Sequence, residues 1–111
     1  MVKLQGTQVF SPDNNHFAYV AEKFDSKRIV NADDLESPPY EDAYDVAYSP
    51  DSKIYAYSAR LNNKEFVVAD GIRGNTYDQI MGMGKVIFDA VDTFHYLARK
   101  DGKVYLIEEK F

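Results

Sequence analysis

The chain has 111 residues, no cysteine and a formal net charge of −5, and these properties exclude several classes of function. A chain without cysteine forms no disulfides, zinc-thiolate sites or cysteine nucleophiles. An acidic chain with scattered Lys and Arg is a poor partner for nucleic acid. Because residues 1–6 lack a signal-peptide core and no apolar run reaches membrane-spanning length, we expect a single-domain cytoplasmic protein with no membrane partner. The alternative is a piece of a larger exported protein.

Short strands separated by turns are predicted along the whole chain. The first strand ends near Phe10. Ser11-Pro12-Asp13 then forms a turn, because proline lacks a backbone donor and the aspartate bonds nearby amides. A strand rich in Phe, Ala, Tyr and Val follows at 17–21, and another apolar run comes after it. The same order of elements recurs, with first strands ending near Tyr48 and Phe88.

This recurrence divides the chain into three repeats at intervals of roughly 40 residues, a period typical of stacked supersecondary units. We delimit the repeats as 7–44, 45–84 and 85–111. Outer strands are predicted near 40–44 and 77–81, and the third repeat ends without one. Segment 1–6 is interpreted as an outer strand that completes a repeat elsewhere.

The polar motifs that could carry chemistry all have structural explanations. A calcium site in the acidic stretch Asp33–Asp45 is an alternative, but the alternating acids and central glycine of a calcium loop are missing, so a solvated acidic loop is favoured. Ser11 and Ser49 recur at a turn and lack the glycine-flanked elbow of a nucleophile. Neither histidine has a partner at metal-ligand spacing. We therefore predict a protein that is not an enzyme and has no catalytic residue, cofactor or metal.

The aromatic residues contain the candidate contact surface. Most of the nine tyrosines and seven phenylalanines lie at repeated positions, which indicates packing between sheets. Tyr40, Tyr44 and Tyr77 lie near predicted loops. We therefore predict that these three side chains contact a protein or peptide partner.

The repeated pattern resembles a known family. Phe10-Ser11-Pro12-Asp13 followed by Phe17-Ala18-Tyr19, with a later strand that ends in Ala-Asp, resembles the WD-repeat-like blades of TolB-type β-propellers. That group is similar to the propeller domains found beside some serine peptidases. The resemblance extends from Val9 to Glu109 and implies an all-β fold of about three four-stranded antiparallel blades, with partners at the axial faces or rims. The third copy departs from the pattern, with Asp89-Ala90-Val91-Asp92 at the turn.

Three blades are too few to close a ring, because propellers typically have four to eight. We interpret the chain as a non-enzymatic binding and assembly module whose ring is completed by a second chain, as a six-bladed homodimer. In that ring, Val2 and Leu4 of one chain would join the strand that contains Tyr105 and Ile107 of the other. The alternative is an accessory propeller fragment of a larger hydrolase or peptidase whose catalytic domain lies elsewhere.

Overall fold

The computed structural model describes residues 3–44 and 46–111. Regular structure in these residues is almost entirely antiparallel β-strand, which confirms the predicted all-β class. The strands are β1 (Lys3–Phe10), β2 (Phe17–Glu22), β3 (Arg28–Ala32), β4 (Leu35–Glu36), β5 (Asp42–Ala43), β6 (Ala47–Tyr48), β7 (Tyr55–Leu61), β8 (Lys64–Ala69), β9 (Ile72–Tyr77), β10 (Gln79–Ile80), β11 (Ile87–Ala90), β12 (Thr93–Lys100) and β13 (Lys103–Lys110). A 3-10 turn spans Phe24–Ser26, and one short helix, α1, spans Met81–Gly84.

The strands form three sheets, each of which runs up and down in chain order. Sheet 1 has the order β1-β2-β3-β4. In sheet 2, β5 and β6 lie end to end along β7, which is followed by β8 and β9. In sheet 3, β10 and β11 lie in the same way along β12, which is followed by β13. Within the described residues, sheet 3 therefore lacks the fourth strand that β4 and β9 provide in the other two sheets.

Tight two-residue turns connect many of these strands. Asn62-Asn63 and Asp101-Gly102 have positive φ at both positions and join paired strands, as predicted from their sequence. Asp33-Asp34 and Asp70-Gly71 have the same backbone conformation. Asn, Asp and Gly tolerate this left-handed region, and its twist matches that of the flanking strands.

The outer strands of sheets 1 and 2 begin at earlier positions in the sequence than predicted. Because Asp33-Asp34 and Asp70-Gly71 reverse the chain at once, the fourth strands begin at Leu35 and Ile72. The placement near 40–44 and 77–81 was therefore wrong in detail. Tyr40 still bridges to Arg28 beside β4, whereas β5 and β10 are first strands of the following sheets.

The N-terminal segment also differs from expectation. Lys3–Gln5 pairs with Val20–Glu22 of the same chain, so β1 is the first strand of sheet 1 rather than an outer strand of another repeat. Leu4 lies opposite Ala21 just as Ile80 lies opposite Ala98, so the two segments are equivalent but both are first strands. Pairing within one chain is favoured because it avoids the entropy cost of association. Met1 and Val2 lie outside the described residues.

Sheet 2 lies between the other two sheets and contributes to two hydrophobic cores. Core 1, between sheets 1 and 2, consists of Ala18, Val20, Val30, Ala32, Tyr40, Ala43, Val46, Tyr57, Ala59, Phe66 and Val68. Core 2, between sheets 2 and 3, consists of Ala56, Val67, Ala69, Ile80, Val86, Phe94, Tyr96 and Ala98. Burial of these side chains is the main force that holds the sheets face to face.

Each sheet carries the same row of three aromatic rings across its first and second strands, with neighbouring centroids 4.9 to 6.4 Å apart. The three rows, which we call aromatic ladders, are Phe10-Phe17-Tyr19, Tyr48-Tyr55-Tyr57 and Phe88-Phe94-Tyr96. The ladders of sheets 2 and 3 pack against the preceding sheet, in core 1 and core 2. In the part of the chain that the structure describes, no sheet packs over the ladder of sheet 1, and Phe10 is 61% exposed.

Candidate functional site

The two Ser-Pro-Asp turns have the same hydrogen bonds in both copies. Ser11 donates to the Asp13 carboxylate at 2.6 Å and accepts from the His16 amide at 3.0 Å. Ser49 donates to Asp51 at 2.6 Å and accepts from the Ile54 amide at 3.1 Å. Both serines are buried. Their hydroxyls therefore cap turns, as the sequence favoured over a nucleophilic role.

Both histidines are engaged by aspartates. His16 Nδ1 lies 2.6 Å from Asp33, and His95 Nδ1 lies 2.7 Å from Asp89. Among the described residues, neither pair belongs to a group of three acidic or histidine side chains that could hold a metal ion. The first pair joins the loop before β2 to the turn after β3, whereas the second pair joins the neighbouring strands β11 and β12.

The acidic stretch between Asp33 and Asp45 does not converge on one point. Its carboxylates take separate partners: Glu36 pairs with Lys23 at 2.7 Å, and Asp42 pairs with Arg28. Across residues 3–44 and 46–111, no three acidic or histidine side chains are grouped as metal ligands. Asp45 lies outside the described residues.

The three tyrosines predicted as a contact surface lie between sheets. Tyr40 is 3% exposed and belongs to core 1, which corrects the expectation of a surface role for this residue. Tyr44 is partly buried and donates to Glu65 at 2.9 Å. Burial, followed by this bond, raises the pKa of Tyr44. Tyr77 is also partly buried and packs edge to face on Tyr96, with 6.1 Å between centroids.

A buried carboxylate that sequence reasoning missed links sheets 2 and 3. Glu65 is 4% exposed, accepts the Tyr44 hydroxyl, and accepts the Ile80 amide at 2.6 Å. The equivalent position in sheet 1 is Arg28, which is paired with Asp42. The sequence signal for this buried carboxylate was a charged residue at the start of an apolar strand. Because charged residues at strand ends are usually solvated, the signal did not distinguish Glu65 from a surface residue.

A cleft of about 450 Å³ opens where the first strands of sheets 2 and 3 approach sheet 1. Its lining is mainly apolar and includes Val46, Met83 and Val86, with Arg28 and Lys85 as the cations. Arg28 is already paired with Asp42. The cleft therefore has the dimensions of a small-molecule site but no convergent set of polar groups within the described residues.

The remaining candidate surfaces are the outer faces of the sheet stack. The outward face of sheet 3 presents Leu97 and Leu106, and Leu106 is 60% exposed. Two of the predicted assembly residues, Tyr105 and Ile107, lie on β13 but point to the opposite face, where Ile107 packs against core 2. Contiguous exposed apolar residues on a soluble protein mark interaction sites.

Comparison with known proteins gives no relative for this chain: no protein-family model, curated protein or solved structure matches it. Among the described residues, no helix is long and apolar enough to cross a membrane.

Proposed function

We propose that the chain is a non-enzymatic β-propeller module for assembly and binding, in which each sheet is one blade. Two chains join head to tail as a homodimer with a six-bladed ring. The observation that carries this proposal is the packing of the aromatic ladder of one sheet on a face of the preceding sheet, which occurs twice within the chain. At one end of the stack a ladder is left exposed, and at the other end a sheet face is left exposed.

The repeated arrangement places an aromatic ladder on a face of small residues. The face of sheet 1 with Ala18 and Val20 receives the ladder that ends at Tyr57. The face of sheet 2 with Ala56 and Ser58 receives the ladder that ends at Tyr96. Small side chains opposite large rings allow two sheets to interdigitate closely.

One half of this arrangement is left over at each end of the stack, and on the outward face of sheet 3 the larger His95 takes the position of Ala18 and Ala56. Leu97 of sheet 3 occupies the strand position that Val20 and Ser58 occupy in sheets 1 and 2, and it faces outward. At the other end of the stack, the ladder that contains Phe10 is exposed. A second copy of the chain therefore covers both faces. The exposed ladder of sheet 1 in one chain packs on the outward face of sheet 3, which contains Leu97, in the other chain. Ala21, beyond the ladder on the same face, is already buried, so the contact centres on the ladder itself.

Twofold symmetry makes the two junctions identical and leaves no unpaired face. Six blades lie within the range in which propellers close, whereas three copies would give nine. The dimer is therefore the favoured closed form.

Sedimentation equilibrium at micromolar concentration tests the assembly. We expect the mass of two chains, about twice the 12.7 kDa of one chain. A well-folded species at the mass of one chain would refute the ring. The rest of the proposal predicts that ester and peptide substrates remain intact, and turnover that persists through repeated purification would refute the non-enzymatic role.

A further inference from the structure

Among the strands of residues 3–44 and 46–111, β13 pairs with β12 alone, so its outer edge presents unused backbone hydrogen-bonding groups. Lys100 and Lys103 flank the two-residue turn at Asp101-Gly102, and in such hairpins the flanking pair exchanges backbone bonds. Every second residue from Lys103 therefore points its amide towards β12, and the amide of Phe111, which donates to Asp92 at 2.9 Å, fits this alternation. The amides of Val104, Leu106 and Glu108 point the other way, to the free edge.

The equivalent edge is covered in both of the other sheets. In sheet 1, Arg28 and Tyr40 exchange two backbone bonds of 2.9 and 2.8 Å. In sheet 2, Glu65 lies opposite Tyr77. Val104 is the residue of sheet 3 that is equivalent to Arg28 and Glu65. In each sheet, the residue after this position pairs with the last alanine of the second strand. Both completed sheets therefore have a tyrosine, in or just after the fourth strand, at the position that no described residue fills opposite Val104.

These fourth-strand tyrosines have a common packing role. Tyr40 packs edge to face on Tyr57 of the next sheet, and Tyr77 packs edge to face on Tyr96 of the next sheet, each at 6.1 Å between centroids. In the proposed ring, the next sheet after sheet 3 is sheet 1 of the second copy, whose equivalent residue is Tyr19. This part of the inference rests on the proposed function.

The fourth strand of sheet 2 also carries a cation over an aromatic ring. The Arg73 guanidinium lies 4.2 Å from the centroid of Phe66, and Arg73 is opposite Val68. The residues of β13 at these two positions are Tyr105, which is half-exposed, and Ile107. Glu109 lies two residues beyond Ile107 on the same face and accepts the Tyr96 hydroxyl at 3.1 Å, so a cation opposite Ile107 has a ring and a carboxylate nearby.

We propose that β13 binds an extended segment of a partner polypeptide as the fourth strand of sheet 3, with an aromatic side chain opposite Val104 and a basic side chain opposite Ile107. The outward amides and carbonyls of β13 supply the affinity, and the two side-chain positions supply the specificity. An uncovered edge of eight residues with four consecutive apolar side chains is otherwise an aggregation hazard.

The test uses the intact chain and a synthetic peptide with the sequence of residues 71–79, which contains β9. We expect fluorescence anisotropy to detect binding, and hydrogen exchange to show new protection at the amides of Val104, Leu106 and Glu108. Leu106→Pro removes one outward donor without touching the ladder to β12, so the peptide should bind about tenfold more weakly. Peptides with alanine in place of Tyr77 or Arg73 should also lose affinity.

The controls separate this inference from the ring. Leu106→Ala is the matched control, because both variants truncate a side chain on the outward face beside Leu97 but only Leu106→Pro removes the outward amide. The two variants should sediment alike, and only Leu106→Pro should lose affinity for the peptide. Peptide binding to a monomeric chain, with protection on β13, would overturn the ring and leave strand addition intact. Absence of protection on β13 in the unsubstituted chain, or equal affinity of the parent and alanine peptides, would overturn the strand proposal even where Leu106→Pro fails to fold.

Discussion

The ring of Tyr40 meets the ring of Tyr57 edge to face with 6.1 Å between centroids, and their hydroxyl oxygens lie 3.0 Å apart in a buried contact. Tyr40 follows β4 of sheet 1, whereas Tyr57 lies on β7 of sheet 2, so this pair joins two sheets. Burial is the first cause that raises the pKa of Tyr57, followed by the bond with Tyr40. The Tyr57 hydroxyl therefore stays protonated at neutral pH.

Truncation of this contact should destabilise the fold strongly. Tyr57→Ala removes a buried aromatic ring from core 1 and should lower the free energy of unfolding by about 3 to 5 kcal/mol. Tyr57→Phe keeps the ring but leaves the Tyr40 hydroxyl without its partner, at a cost of about 1 to 3 kcal/mol. Urea denaturation measures both values. Leu35→Ala, at a side chain that is 70% exposed, is the control and should change stability by less than about 0.5 kcal/mol. Equal effects of Tyr57→Ala and Leu35→Ala would contradict the packing of sheets 1 and 2.

Two glycines of α1 provide a matched pair for a second prediction. A β-carbon on Gly84 would lie 2.2 Å from the Ser58 hydroxyl oxygen and 2.5 Å from the Tyr44 ring, whereas one on Gly82 would meet nothing within 4 Å. Both have positive φ, so alanine strains both backbones by roughly 1 to 2 kcal/mol. Gly84→Ala should therefore destabilise the protein clearly more than Gly82→Ala in thermal unfolding. Similar melting temperatures for the two variants would show that sheets 2 and 3 do not approach so closely at Gly84.

The buried carboxylate of Glu65 should be needed as an acceptor rather than as a charge. Glu65→Gln keeps an oxygen for the Ile80 amide, whereas Glu65→Ala leaves that buried amide unpaired. We expect Glu65→Ala to cost about 1 to 3 kcal/mol and Glu65→Gln less. Urea denaturation gives the energies, and hydrogen exchange at Ile80 locates the effect. Equal losses in the two variants would indicate that the carboxylate charge matters more than the hydrogen bond.

The turn aspartates should make the fold sensitive to acid. The hydrogen bond from Ser49 is the first cause that lowers the pKa of Asp51 below its ordinary value of 3.8, and Ser11 does the same for Asp13. A carboxyl group with a lowered folded pKa adds stability above its unfolded pKa, and this stability is lost as the pH falls through the folded pKa. We therefore expect the free energy of unfolding to decrease below about pH 4.

Titration by NMR checks the cause of this acid sensitivity. In Ser49→Ala the pKa of Asp51 should move up towards 3.8, while Asp13, beside the unchanged Ser11, serves as the internal control. An Asp51 carboxyl that titrates at or above 3.8 in the parent protein would remove the basis for this prediction.

Charge on the outward face of sheet 3 should prevent assembly without unfolding the chain. Leu97→Glu places a carboxylate on the face assigned to the aromatic ladder of a second copy, so that association would have to remove this charge from water. We expect its sedimentation to shift to the mass of one chain, with an unchanged circular dichroism spectrum. Leu35→Glu is the matched control, because Leu35 is also exposed but lies at the junction of sheets 1 and 2 within one chain. If both variants stay dimeric, the interface lies elsewhere.

Repeated residues made much of the fold predictable. The lead aromatics Phe10, Tyr48 and Phe88 do lie in first strands. Asn62-Asn63 and Asp101-Gly102 form the predicted turns, because these residues favour the left-handed backbone on their own. The burial of individual tyrosines was less predictable: Tyr19, Tyr57 and Tyr96 occupy one repeated strand position, yet Tyr57 and Tyr96 are buried and Tyr19 is only partly buried.

Local sequence therefore determined the strands, the turns and the threefold repeat, since backbone propensity and alternation act over a few residues. Only the tertiary structure decided which partners the strands take. The composition of Lys3–Gln5 is compatible with either an outer strand or a first strand. Because this segment pairs with Val20–Glu22 of the same chain, it is a first strand. Tyr40 has the sequence context of a loop, yet the packing of two sheets buries it. Such outcomes depend on contacts between residues distant in the chain, for which a single sequence has no local signal.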